Sequence, residues 1–331
     1  MKNISILLIS VLAVFFSACS SKQVYKPKLV SDDWDKYGSA KEKIVDVASD
    51  VALLENGKVR IKDKIVDIKI NKSNRLVGVS DGWLISSNSN GNVTLQFIED
   101  KSMIEKFKLK KTIAAASVKD DILAVLFADN EMALYSISSK KLLLKEQGTE
   151  VVVVDSRIVN PHFMNDLVLF LTLDGKIVII NSKLKKKLRT IIISSEEYFN
   201  NVIYFNVLDN KLIAATGYKI FSMAQKEIRA NYEIRDIAYD KKNIYIATKQ
   251  GEVISLTPTL EVNSKLKFPF AHFLGLIVTK DKIYALEKEG YIIEMSKDLL
   301  KYKVYDVDVE EGFVFVGDKA FYVDDEYISV E

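Results

Sequence analysis

Apolar and polar positions along this chain repeat with the rhythm of short β-strands. From about Ile44 onward, short runs of β-branched, aliphatic and aromatic residues alternate with turns, and helical periodicity is hard to find. One unit recurs: an apolar strand, a tight turn, a second strand, a polar turn with Ser, Asp or Lys, then a further strand. Asp166 to Ser182 (DLVLFLTLDGKIVIINS), Asn243 to Thr257 (NIYIATKQGEVISLT) and Lys282 to Ser296 (KIYALEKEGYIIEMS) show its central pair. Outer strands are expected at Lys187 to Ile193, Glu261 to Phe268 and Leu300 to Val307. Inner strands are expected at Ile234 to Tyr239 and Phe273 to Thr279. The near-continuous apolar runs Leu167 to Leu173 and Ile177 to Ile180 suit strands buried on both faces.

The tight turns fall at Asn56-Gly57, Asn90-Gly91, Asp129-Asn130, Asp174-Gly175, Thr216-Gly217, Gln250-Gly251, Glu289-Gly290 and Gly317-Asp318. Several carry the Asn-Gly or Asp-Gly chemistry of two-residue hairpins, in which glycine takes positive φ at little cost. Successive turns lie 28 to 45 residues apart, and a spacing near 40 is that of a propeller blade of four short strands. The pattern therefore predicts an all-β fold, a single β-propeller of four-stranded blades, with eight blades favoured and seven as the alternative. A β-solenoid would have a shorter, more regular rung, and tandem sandwiches would need a linker that the sequence does not show. The weak last unit, Glu311 to Glu331, is expected to share a blade with an N-terminal strand and so close the ring. Ile65 to Ser80 is the segment this pattern places least well.

The N-terminal pattern is different. Met1-Lys2-Asn3 precedes an apolar run from Ile4 to Phe16, then Ser17-Ala18-Cys19-Ser20-Ser21. That is the layout of a bacterial lipoprotein signal peptide, with an apolar stretch short for a membrane span and small residues ahead of the cysteine. Residues 1–18 are read as the signal peptide, Cys19 as the palmitate-bearing lipidation site, 19–43 as a polar tether and 44–331 as the propeller. Val24 to Val30 is a candidate strand within the tether. Ser20 after the cysteine favours the outer membrane, with the body facing the periplasm; inner-membrane anchoring is the alternative.

Composition narrows the chemistry. Cys19 is the only cysteine among 331 residues, so neither an internal disulfide nor a cysteine metal site is available. A net charge of +2 argues against nucleic acid as partner. The basic run Lys183 to Arg189 reads as a solvated turn and edge strand. The two histidines, His162 and His272, lie in different repeat units without the spacing of a metal motif. Asp120-Asp121, Asp240 and Asp281 stand where turns use Asp, and Asp306 and Asp308 read as rim residues. No G-x-S-x-G, Walker or H-E-x-x-H motif is present. The expectation is a protein without enzymatic activity, metal or cofactor, monomeric on its own.

The lipoprotein-type start, the tether and about eight blade-like units together resemble the periplasmic propeller lipoproteins with PQQ-like or WD40-like repeats. Among these the chain looks most like the BamB-like family. Remnants of the repeat turn stand at Ser138 to Leu142 and Ser296 to Leu300, while the blade tryptophans are missing: the chain has only Trp34 and Trp83. The resemblance implies a scaffold for protein–protein contacts in outer-membrane β-barrel assembly, with the assembly machinery as envelope partner. A propeller serving another envelope complex, or one that binds or processes a sugar or peptide, is the alternative. The longer connections Glu150 to Asn165 and Ser194 to Asn206 are expected on one propeller face. They supply the candidate partner-binding residues Pro161, His162 and Phe163, and Glu196, Tyr198 and Phe199.

Overall fold

Alternation within strands buried on both sides decides the architecture. In the strand Ile122–Phe127, Leu123, Val125 and Phe127 pack toward the preceding sheet, while Ala124 and Leu126 pack toward the following one. Leu167–Leu171 does the same, with Val168 and Phe170 on one side and Leu169 and Leu171 on the other. A strand apolar on both faces needs a sheet against each of them, and radially stacked blades provide this.

A computed structural model of the protein describes residues 23–309 and 311–331. The described residues form eight four-stranded antiparallel sheets arranged as a β-propeller. From the innermost strand outward, blade 1 is 44–48, 51–54, 59–61 and 64–66; blade 2 is 75–80, 83–87, 92–97 and 104–108. Blade 3 is 113–119, 122–127, 131–136 and 142–147, and blade 4 is 162–164, 167–171, 176–181 and 186–192. Blade 5 is 204–208, 211–215, 219–223 and 227–231, and blade 6 is 234–239, 244–248, 252–256 and 262–267. Blade 7 is 273–278, 282–287, 291–296 and 302–306. Blade 8 takes 314–316, 320–323 and 326–329 from the C-terminal end and Tyr37–Ser39 as its outermost strand. The segment that was hard to place divides between the last strand of blade 1 and the first of blade 2.

Each pair of adjacent blades shares an apolar cluster. The last of these, formed by Ile44, Ala52 and Leu54 with Phe315, Ala320 and Tyr322, joins blade 1 to blade 8 and closes the circle. Polar contacts reinforce that seam. The Arg60 guanidinium lies 3.8 Å from the centre of the Tyr322 ring, and Asp63 accepts the N–H groups of Asp318 and Lys319, both at 3.1 Å.

Two expectations are corrected. Gly317-Asp318 joins the first and second strands of blade 8; the turn equivalent to the other seven is Asp324-Asp325, with Asp324 at φ 52°. Asp324-Asp325 is a two-residue hairpin, but the corresponding turns of the other seven blades are longer. The connection is three residues in blade 6 and four in blade 2, with one left-handed residue in each, Gly251 and Gly91. The turn closes when that residue donates its N–H to a carbonyl three positions back, as Gly251 does to Thr248 at 3.1 Å.

The stretch read as a tether is packed on the ring from Tyr25 onward. Tyr25 is buried between blades 6 and 7, edge-on to Phe268 and Tyr291. Ser31 and Trp34 donate their N–H groups to Val304 and Asp306 on the outer strand of blade 7. Val24 to Val30 forms no strand; the strand that closes the ring is Tyr37–Ser39. Cys19 and the signal segment lie outside the described residues.

Candidate functional site

Antiparallel order puts two sets of connections on one face: the tight turns between second and third strands, and the crossings from one blade to the next. The longest crossings, 148–161 between blades 3 and 4 and 193–203 between blades 4 and 5, therefore share a face. Buried asparagines hold them there. Asn130 donates to the Thr149 carbonyl at 2.8 Å and accepts the Leu173 N–H at 2.9 Å. Asn201 accepts the Asp155 N–H at 2.6 Å and donates to the Arg157 carbonyl at 2.9 Å.

The 148–161 crossing reaches over the channel mouth. Arg157 donates to the backbone carbonyls of Ile234 and Arg235 on the inner strand of blade 6. Three residues later, Asn160 accepts the Ala116 N–H on blade 3 at 3.1 Å and donates to the Val77 carbonyl on blade 2 at 3.3 Å. Blades 2 and 6 stand opposite each other in a ring of eight, so one short segment is bonded to both sides of the mouth and narrows it.

The position after a shared bulge explains why Asn160 fits. In five inner strands one residue bulges out of register, and pairing resumes at the next residue: Asp46, Gly78, Ala115, Asp236 and Gly275 in blades 1, 2, 3, 6 and 7. In blade 6 that next residue is Asp236. Its carboxylate accepts the Leu276 N–H of blade 7 at 2.7 Å and the Ile237 N–H at 2.9 Å. The corresponding residue in blade 2 is Gly78, and a Cβ there would lie 2.3 Å from the Asn160 amide nitrogen. Asn160 thus serves the Ala116 N–H as Asp236 serves Leu276.

Burial raises the Asp236 pKa to about 6, against the opposing pull of the two N–H groups and of Arg157. With the folded value above the unfolded one, the native state retains this proton where the unfolded chain has lost it. Stability from Asp236 is full below about pH 4 and declines as pH rises through about 6. Asp236→Asn is expected to remove this component. The stability difference between the two proteins should shift by about 1–3 kcal/mol between pH 4 and pH 7. Urea unfolding across that range measures it, and parallel pH profiles would refute it.

The sequence-selected residues divide. Pro161 is buried and Phe163 packs against the cluster between blades 3 and 4. His162 starts the inner strand of blade 4, its ring centroid 5.0 Å from that of Phe205, and desolvation and then Lys119 lower its pKa. Glu196 pairs with Lys219 at 3.3 Å, while Tyr198 and Phe199 are exposed side by side. Asp306 and Asp308 line a recess of about 990 Å³ between blades 7 and 8, and His272 lines one of about 420 Å³ on the crossing face. Among the described residues, no group of three or more His, Cys, Asp or Glu is placed to hold a metal.

Sequence reasoning missed Phe270 and Phe313. With Phe199 they are the exposed phenylalanines among the described residues, and all three lie on blade-to-blade crossings, hence on one face. Their legible signal was position: each follows the outer strand of one blade and precedes the inner strand of the next.

An eight-bladed propeller, with a crossed channel mouth on the face that carries its exposed phenylalanines, defines the class of protein. No protein-family model matches the chain. It is similar to the plasminogen-binding protein PgbB of Helicobacter pylori strain J99, 35% identical over 218 residues, or 63% of this chain and 40% of that protein. The chain thus spans about 40% of the length of that relative. Among solved structures, BamB from Moraxella catarrhalis superposes with a TM-score of 0.67 at 13% identity, covering 89% of this chain and 98% of that one. The C-terminal WD40 domain of Sif2 gives 0.64 at 10% identity with the same coverage. At these identities the structural likeness is one of fold: the chain has a BamB-like propeller fold.

Proposed function

We propose that this chain is a non-enzymatic propeller that binds other envelope proteins through its crossing face, held at the outer membrane by lipid on Cys19. The observation that carries this reading is the grouping of Phe199, Phe270 and Phe313 on the face whose channel mouth is crossed by residues 148–161. Exposed aromatics gathered on one face suit protein contact, since they offer large apolar area at small entropic cost. A crossed mouth leaves less room for a substrate in the channel.

The fold likeness to BamB supports the outer-membrane β-barrel assembly core as partner. The sequence similarity to PgbB supports a second reading, plasminogen binding. One experiment separates them: affinity purification of the tagged, lipidated protein from crosslinked envelopes with a Cys19→Ala control, alongside plasminogen binding to the same preparation. Recovery of the assembly core, reduced when Cys19 is replaced, is the expected result. Saturable plasminogen binding without the assembly core would favour the second reading. Recovery of neither would sink both.

A further inference from the structure

The bulged residue of the inner strand is Val45 in blade 1, Val77 in blade 2, Ala114 in blade 3 and Leu274 in blade 7. In blade 6 it is Arg235. A cation thus occupies a position that four other blades fill with an apolar side chain, at the edge of the recess of about 420 Å³ on the crossing face.

The neighbouring arginine is fully engaged. Arg157 is paired with both carboxylate oxygens of Asp155 and donates to two backbone carbonyls. The Arg235 side chain forms no hydrogen bond or ion pair among the described residues, and its Nε is buried without a partner. Desolvation, and then Arg157 beside it, lowers the Arg235 pKa. A partly desolvated guanidinium with unused donors is better satisfied when a carboxylate meets it, and the planar fork suits that group in a bidentate pair. Asp155, the nearby carboxylate, is already committed to Arg157.

The surroundings indicate what carries the incoming carboxylate. Phe199 lines the recess, and Phe270 lies exposed on the crossing that leads to His272, another lining residue. Beyond Leu274, which borders both recesses, the larger one presents Asp33, Glu289, Asp306, Asp308 and Glu311 against one cation, Lys288, and so disfavours an acidic group. We infer that the recess beside Arg235 is a carboxylate-binding pocket, taking an acidic side chain flanked by apolar residues in a segment of a protein partner. This rests on the reading of the crossing face as the interaction face and names the contact that orients the partner there.

The test uses the full chain in detergent and two probes, acetyl-Phe-Glu-Phe-amide and acetyl-Phe-Gln-Phe-amide, titrated by saturation-transfer NMR. The Glu peptide is expected to bind at least tenfold more tightly than the Gln peptide, with the margin shrinking at high salt. Arg235→Leu, which places in blade 6 the residue that blade 7 carries at this position, should abolish the preference without lowering the unfolding midpoint. Arg235→Lys should retain part of it. Equal affinities, a preference that survives Arg235→Leu, or no saturable binding of the Glu peptide would each overturn the pocket. Free glutamate competing as well as the tripeptide would overturn its peptide character. A failed pocket beside a successful envelope purification leaves the interaction reading standing; the reverse result leaves the pocket and removes the partner.

Discussion

Replacing Trp34 with alanine is expected to cost about 3–5 kcal/mol of stability, the range for losing a buried Trp or Phe side chain. Trp34 is only 7% exposed. It sits in the cluster between blades 7 and 8, with its ring centroid 4.9 Å from that of Tyr305 and 6.0 Å from that of Tyr284. Its indole N–H donates to the Ser329 carbonyl at 2.9 Å, tying the N-terminal segment to the third strand of blade 8. Three residues later the chain becomes the outermost strand of that blade, Tyr37–Ser39, paired with Glu326–Ser329. Loss of Trp34 therefore removes packing at the place where the two ends of the chain close the ring. Trp34→Phe should retain most of the stability, losing chiefly the hydrogen bond, worth about 1 kcal/mol. Urea unfolding of the full chain measures both; a loss under about 1 kcal/mol for the alanine variant would contradict the closure role.

Gly251→Ala is expected to cost about 2–4 kcal/mol, from strain at a left-handed position together with a steric conflict. Gly251 has φ 76°, and a Cβ there would lie 2.2 Å from the Phe268 carbonyl oxygen. The Gly251 carbonyl also accepts the Phe268 N–H at 2.7 Å, so the turn is bonded to the start of its own blade's crossing. The same bond recurs from Leu109 to Gly91, Ile193 to Gly175 and Val307 to Gly290. Gly217 is the internal control. Its φ lies outside the left-handed range, and a Cβ there would meet only the Phe199 carbonyl, at 3.7 Å. Gly217→Ala should change stability by no more than about 0.5 kcal/mol. Equal effects at the two glycines would show that the crossing yields and that close approach does not constrain the turn.

These two sites show where sequence reading held and where it stopped. Gly57, Gly91, Gly175, Gly251 and Gly290 were visible because their turns demand positive φ, while Gly217 shares the position without that φ. Their close contact with the crossing behind them was not, because that contact joins segments brought together only when the outer strand has paired. Trp34 fell within a polar stretch read as a tether. Its burial depends on Tyr284 and Tyr305, some 250 residues downstream, and no local pattern reports such a partner. Tyr198 and Phe199 were found because a long crossing between regular repeats stands out. Pro161 and Phe163 were chosen on the same ground, yet they belong to the packing beneath the crossing. Loop length marks where a segment departs from the repeat, not which of its side chains face outward.

The sequence by itself determined the all-β class, the four-strand unit, its repetition, and the burial of the central strands on both faces. Each follows from local alternation and from turn chemistry repeated every forty residues or so. Tertiary structure decided the rest: eight blades rather than seven, Tyr37–Ser39 as the closing strand, Asn160 standing in beside Gly78, and Arg235 left without a hydrogen-bond partner among the described residues at the channel mouth. These depend on which blade faces which around the ring, and that arrangement exists only once the chain has closed on itself.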